Sequence, residues 1–172
     1  AGALALEYAL PLVRFRAQAM QEAVPAGVGA MAAILGLDTA AVAAGCRDAG
    51  GTQVVEPVNF NGPEQIVIAG HKEAVERAIA LATERGAKRG VLLPVSAPFH
   101  SSLLKPAAER LGARLAGVNF KAPAIPVLHN VDVVIEPAFA ERSLGEWNLR
   151  SVAQTQAALS AGVTPPGGES ND

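Results

Sequence analysis

The segment Val95-Ser96-Ala97-Pro98-Phe99-His100-Ser101-Ser102 holds the residue best suited to chemistry, His100. It falls between a strand-like run and a helix-like run, at a junction where side chains can point into a cleft. A neutral imidazole there could serve as general base and then general acid in acyl transfer. The same position also suits a helix-cap or packing histidine. Ser101 and Ser102 read most simply as caps of the following helix, and adjacency to His100 makes neither a nucleophile. A second candidate is an arginine on the first helix. Arg14 and Arg16 lie on opposite borders of its apolar stripe, and a guanidinium can grip a carboxylate bidentately. Spacing alone does not choose between them or exclude a solvated flank. The third candidate, Asn59-Phe60-Asn61-Gly62-Pro63-Glu64-Gln65, consists of ordinary turn residues.

Other chemistries lack their residues. No histidines or carboxylates have metal-ligand spacing, so no metal is expected, and no Gly-rich phosphate loop follows a strand. No Gly-x-Ser-x-Gly occurs, so the 172 residues contain no recognisable serine-hydrolase elbow. His71 falls at a predicted helix start and His129 on or beside a strand. Cys46, the single cysteine, reads as an inert thiol packed among helix alanines; alone it forms no internal disulfide, which fits a reducing cytoplasm.

The elements that must position these residues follow from periodicity. Residues 4–22 read as a helix with Leu6, Leu10, Val13, Ala17 and Met20 on one face, ended by Pro25 and Gly27. Gly29–Leu35 is a strand. Asp38 caps a helix over Thr39–Asp48, which Gly50–Gly51 stop. Val54–Phe60 and Gln65–Ala69 form a hairpin around a four-residue loop, Asn61–Glu64. Lys72–Arg85 is a helix and Val91–Val95 the last strand. This β-α-β-β-α-β order, in about 70 residues, is the ferredoxin-like arrangement of an antiparallel sheet with both helices on one face. A third helix covers Ser101–Ala116, and Pro126–Asn130 is a strand. Residues 163–172 read as a disordered tail.

Composition narrows the classes. Half the residues are hydrophobic, 17% are charged and 4% are aromatic, so the core is expected to be Val, Ile, Leu and Ala. A net charge of −2 and no basic run interleaved with aromatics argue against nucleic acid. The apolar runs fall short of the roughly 20 residues needed to span a bilayer, so no membrane partner is expected. No charged start with an apolar core and small-residue cleavage site marks a secretory signal, and the first residue is not Met.

Several motifs together carry a resemblance. Met20–Pro25, Gly29–Leu37, Val58-Asn59-Phe60-Asn61-Gly62-Pro63-Glu64-Gln65-Ile66-Val67-Ile68-Ala69-Gly70, Leu93–Ser101 and Asn130-Val131-Asp132 resemble, in order and spacing, the bacterial malonyl-CoA:acyl-carrier-protein transacylases. The resemblance covers about residues 1–136. It implies an α/β fold in which a ferredoxin-like subdomain is inserted in an α/β-hydrolase-like acyltransferase subdomain. Residues 1–25 and 97–136 would belong to the larger subdomain and 26–96 to the insert, with 137–172 a divergent tail. It also implies transfer of malonyl from malonyl-CoA through a serine ester to acyl carrier protein, in fatty-acid biosynthesis in the cytoplasm. No cofactor is implied beyond the partner's phosphopantetheine. By resemblance His100 is the catalytic base and Arg16 holds the malonyl carboxylate. Phe99 resembles members that prefer malonyl to methylmalonyl, and Asn59 and Asn61 match an Asn-x-Asn near the cleft.

The sequence also departs from the family. The serine elbow Gly-His-Ser-Leu-Gly and the early Gly-Gln-Gly-Ser-Gln lie, by resemblance, before the first residue. The Gly-Pro-Gly segment and the glutamine that supports the histidine are not found after Glu136. The hydrolase-like part is therefore expected to be incomplete and the chain inactive alone, with Leu6, Leu10, Leu104 and Leu111 short of packing partners. Alternative readings are the acyltransferase module of a polyketide synthase, a noncatalytic ferredoxin-like binding module, and a nonfunctional remnant of a broken gene.

Overall fold

The structure is a computed structural model that describes residues 1–125 and the backbone of 127–128 and 135–136. The first helix, α1 (Leu6–Ala23), starts without a side-chain cap and contains Pro11. That proline removes one helical hydrogen bond, from an exposed stretch where water replaces it. Next come β1 (Gly29–Leu35), α2 (Thr39–Gly50), β2 (Val55–Gly62), β3 (Gln65–His71), α3 (Lys72–Glu84) and β4 (Arg89–Leu92). A single 3-10 turn, Ser102–Leu104, leads into α4 (Lys105–Leu115). Short strands β5 (Val127–Leu128) and β6 (Ile135–Glu136) pair antiparallel. Most of the expected 126–130 strand, His129 and the tail lie outside the described residues.

The four main strands form one antiparallel sheet in the order β2-β3-β1-β4. Alternation sorts its residues onto two faces. Ala32, Ile34, Ile66 and Ile68 point toward α2 and α3 and close over Val42, Cys46, Val75 and Ala78. Ile34, Ile66 and Ile68 are fully buried, so truncating any one to alanine would cost about 2–5 kcal/mol. On the other face Met31, Val67 and Ala69 gather with Ala33, Val58, Leu93 and Phe99. Asp38 caps α2 by accepting the Ala41 amide at 2.8 Å, as expected from sequence. The guanidinium of Arg77 on α3 binds the carbonyl of Ala49 at 2.9 and 2.8 Å, closing the end of α2 and locking the two helices together.

Four expectations need correction. The hairpin loop is two residues, Pro63–Glu64, because Gly62 pairs with Gln65; Asn61 is the extra residue of a bulge in β2 rather than a turn residue. The last strand starts and ends earlier than expected. It enters through the Lys88 amide on the carbonyl of Leu35 and runs out where Pro94 has no amide to donate. The helix expected from Ser101 begins as a 3-10 turn and becomes α-helical at Lys105, with Pro106 in its first turn. Finally, of the leucines expected to lack partners, Leu6 and Leu10 do lie exposed, on one of two apolar faces of α1, whereas Leu104 and Leu111 do not. The packed face carries Ala19 and Phe15, while Leu6, Leu10 and Val13 are 71%, 61% and 61% exposed. Leu104 and Leu111 do find partners and are buried, because α1 and the 3-10 turn pack on α4.

Candidate functional site

The segment from Leu93 to Ser102 crosses from the sheet to α4 and carries His100. It leaves the sheet through the Leu93 amide on the carbonyl of Met31 at 2.9 Å. Two tight turns follow, Val95 amide to Leu93 carbonyl and Phe99 amide to Ala97 carbonyl, each 2.9 Å. Pro98 is fully buried against Gly29. A Cβ at position 29 would sit 2.4 Å from Cδ of Pro98, so only glycine leaves room for the proline ring. Phe99 turns its ring onto the helix-free face of the sheet beside Met31, Val67 and Ala69.

His100 follows with φ at +65°. Among the described residues it is the only non-glycine with positive φ. The left-handed region costs a residue with a Cβ roughly 1–3 kcal/mol and persists only where neighbours over-determine it, most often at functional sites. The neighbours here are identifiable. The hydroxyl of Ser101 donates to the carbonyl of Pro98 at 2.7 Å and its amide to the same oxygen at 3.3 Å. Ser102 donates its amide to Oε2 of Glu56 on β2 at 2.8 Å.

These bonds revise the roles expected of the serines. Ser101 occupies the cap position of the 3-10 turn, but its side chain caps nothing. With 1% exposure and its hydroxyl committed to Pro98, it is no nucleophile. The acceptor for the first amide of the turn comes from Glu56, a residue that sequence reasoning passed over. Its one visible signal is that it is the single charged residue in β2.

Arg16 and Arg14 are both exposed on α1, yet the structure separates them. Desolvation by the surrounding residues lowers the His100 pKa from its ordinary value, although the side chain keeps access to solvent, and the charge of Arg16 lowers it further. Both effects disfavour the imidazolium, so near neutrality the ring keeps a lone pair for accepting a proton. The position of Arg16 is set by the packing of α1. The ring of Phe15, its neighbour, lies 5.7 Å from the guanidinium of Arg110 and 6.0 Å from that of Arg114. Glu22 pairs with Arg110 at 2.7 Å, and Gln21 donates to the hydroxyl of Ser96 at 2.5 Å. The end of α1 is thus tied both to α4 and to the His100 segment.

The remaining candidates are less central. Asn59 is half-buried and opposite Val67, on the same sheet face as Phe99. Asn61 is exposed in the bulge, and among the described residues no hydrogen bond joins either asparagine to His100. His71 starts α3 without capping it; its Nδ1 accepts the Val54 amide at 2.9 Å. Cys46 is buried, and desolvation, with a smaller push from Glu56, raises its thiol pKa to about 12. It is inert, as its surroundings suggested. Among the described residues no group of His, Cys, Asp and Glu could hold a metal ion, and no helix is long and apolar enough to cross a membrane.

No family model matches the chain, but individual proteins do. The malonyl CoA-acyl carrier protein transacylase of Escherichia coli K12 is 57% identical over 136 residues, which are 79% of this chain and 44% of that protein. The chain is a homologue of the malonyl CoA-acyl carrier protein transacylases. The Bacillus subtilis transacylase is 48% identical over 151 residues, 85% of this chain and 47% of its own length. Among solved structures, the Vibrio cholerae acyl carrier protein S-malonyltransferase superposes with a TM-score of 0.78 at 46% identity, over 95% of this chain and 55% of that one. A malonyl-transacylase solved with a type II polyketide-synthase acyl carrier protein gives 0.82 at 43% identity, over 95% and 54%. This chain therefore spans about half the length of the transacylases it matches, and the matched half includes the sheet and the His100 segment.

Proposed function

We propose that this chain carries the acid–base and carboxylate-binding half of a malonyl-CoA:acyl-carrier-protein transacylase, an acyltransferase of fatty-acid biosynthesis acting in the cytoplasm. The observation that carries the reading is the action of the Arg16 charge on a left-handed, partly desolvated His100, within segments that match these enzymes at high identity. In the reaction a serine oxygen attacks the thioester carbonyl of malonyl-CoA while His100 accepts its proton. The tetrahedral intermediate collapses, the coenzyme A sulfur leaves, and the imidazolium returns the proton to it. The phosphopantetheine thiol of acyl carrier protein then attacks the malonyl-serine ester with the same histidine as base, and the serine hydroxyl is regenerated. Arg16 grips the malonyl carboxylate through its planar fork. Phe99 favours malonyl over methylmalonyl, and Asn59 and Asn61 are supporting residues near the cleft.

In this reading residues 26–96 are a ferredoxin-like subdomain inserted in an α/β-hydrolase-like body to which residues 1–25 and 97–136 belong. The β-α-β-β-α-β order and the β2-β3-β1-β4 sheet support it. The serine and the oxyanion donors belong to the part of the transacylases that this sequence does not match.

The test is a chimaera that joins the serine-bearing half of the Escherichia coli relative ahead of residue 1 and its last segment after residue 136. Transfer of labelled malonyl from malonyl-CoA to acyl carrier protein is then followed. Rapid transfer that His100→Ala lowers by about 10²–10⁴ supports the assignment; transfer undiminished by that substitution ends it.

A further inference from the structure

We propose that Glu56 is a positioning residue for His100, holding the backbone of the base in its left-handed conformation from a strand of the neighbouring sheet. The relevance of that conformation to proton transfer rests on the functional reading above, but the conformation itself does not. His100 has a pinned residue on either side. Upstream, the carbonyl of Pro98 is held by the amide and hydroxyl of Ser101. Downstream, the amide of Ser102 is the first of the 3-10 turn, and like any first amide of a helical turn it has no acceptor within the turn. Such an amide at the start of a helical turn calls for an acceptor.

Oε2 of Glu56 supplies the acceptor at 2.8 Å. Glu56 pairs with Ala69 across β2 and β3, which puts it on the face where Phe99 packs beside Ala69. The strand thus presents the carboxylate and the apolar seat of Phe99 together, and the two grip the residues flanking His100. An ionised acceptor makes a stronger bond to an amide than a neutral one. Loss of the acceptor frees the Ser102 end, and His100 then has no reason to remain in a region that its Cβ disfavours.

The experiment uses the isotopically labelled 172-residue chain as wild type, E56Q and E56A. It reads the nuclear Overhauser effect between the amide and α protons of His100, which is strong when φ is positive because the two protons then lie close. The wild type is expected to show a strong effect. E56A should lose at least about half of it while the amides of Ile66 and Ile68 keep their shifts, and E56Q should retain it because its amide oxygen can accept the same bond. Loss in both variants also supports the proposal and adds that the charge is required. An undiminished effect in E56A overturns it. Should E56A fail to fold, hydrogen exchange in the wild type decides. A Ser102 amide slowed by about tenfold or more relative to an unprotected amide supports the bond, and exchange at the unprotected rate overturns it. Since none of these readouts depends on catalysis, failure here leaves the transacylase assignment untouched, and failure of the chimaera leaves this inference untouched.

Discussion

The charge of Arg16, on the first helix, reaches the imidazole of His100, in the segment that follows β4, and adds to desolvation in keeping that ring unprotonated. Arginine and histidine repel when both are charged, so the pair is arranged for a neutral base beside a permanent cation. The proposed malonyl transfer would use that combination, with a carboxylate to be held and a proton to be moved nearby.

Arg16→Ala in the chimaera should therefore weaken malonyl transfer by roughly 2–4 kcal/mol, the range for truncating one partner of a buried charge pair. Acetyl transfer should fall much less, because acetyl has no carboxylate. Steady-state kcat/KM with both substrates checks this. Equal losses would remove the carboxylate role, and a larger selective loss in Arg14→Ala would transfer it to that residue.

His100 also predicts a pH dependence of stability. Its folded pKa lies below the unfolded value, so in acid the unfolded chain binds the proton more readily. The stabilising contribution of the neutral ring is fully present above the unfolded value, about 6.5. It declines as pH falls below that and is lost once pH passes the folded pKa. Urea melts between neutrality and mild acid should show the wild type losing stability on acidification and His100→Gln losing less. A parallel decline in both would show that the ring is not the group responsible.

The contact of Gly29 with Pro98 yields a steric prediction. Gly29→Ala places a methyl within the space of the proline ring and should cost about 1–3 kcal/mol by overpacking. It should also shift the resonances of His100, because Pro98 anchors that turn. Unchanged stability together with unchanged His100 shifts would contradict the account.

Much of this arrangement is legible in the sequence. The apolar run Ile66, Val67, Ile68 and Ala69 specifies a strand with two occupied faces, and the Asp38 cap marks the start of α2. The left-handed turn at His100 is not legible, because it is imposed by Glu56 and Gly29, which are distant in sequence. Arg16 could not be chosen over Arg14 on a helical wheel, since the choice depends on how Phe15 and Glu22 dock α1 on α4. The apolar stripe of Leu6, Leu10 and Val13 was visible, but periodicity does not tell which of two apolar faces meets the rest of the described residues.

That stripe has its own test. Leu10→Ser with Val13→Ser should reduce hydrophobic-dye binding by this chain while changing stability by no more than about 0.5 kcal/mol per site, as for surface substitutions. A loss of several kcal/mol, read from thermal or urea melts, would show that these side chains are packed.

The most direct measurement of the central claim is intact mass after rapid mixing with malonyl-CoA. On the proposed assignment the 172 residues supply only the base among the three groups that acyl transfer uses, and without a positioned serine and oxyanion donors most of the acceleration would be absent. The 172-residue chain should therefore gain no malonyl mass. The chimaera should become singly malonylated at the serine of its added half, and His100→Ala should slow that labelling by about 10²–10⁴. Stable malonylation of the chain alone at Ser101 or Ser102, or labelling of the chimaera at an undiminished rate without His100, would contradict the account.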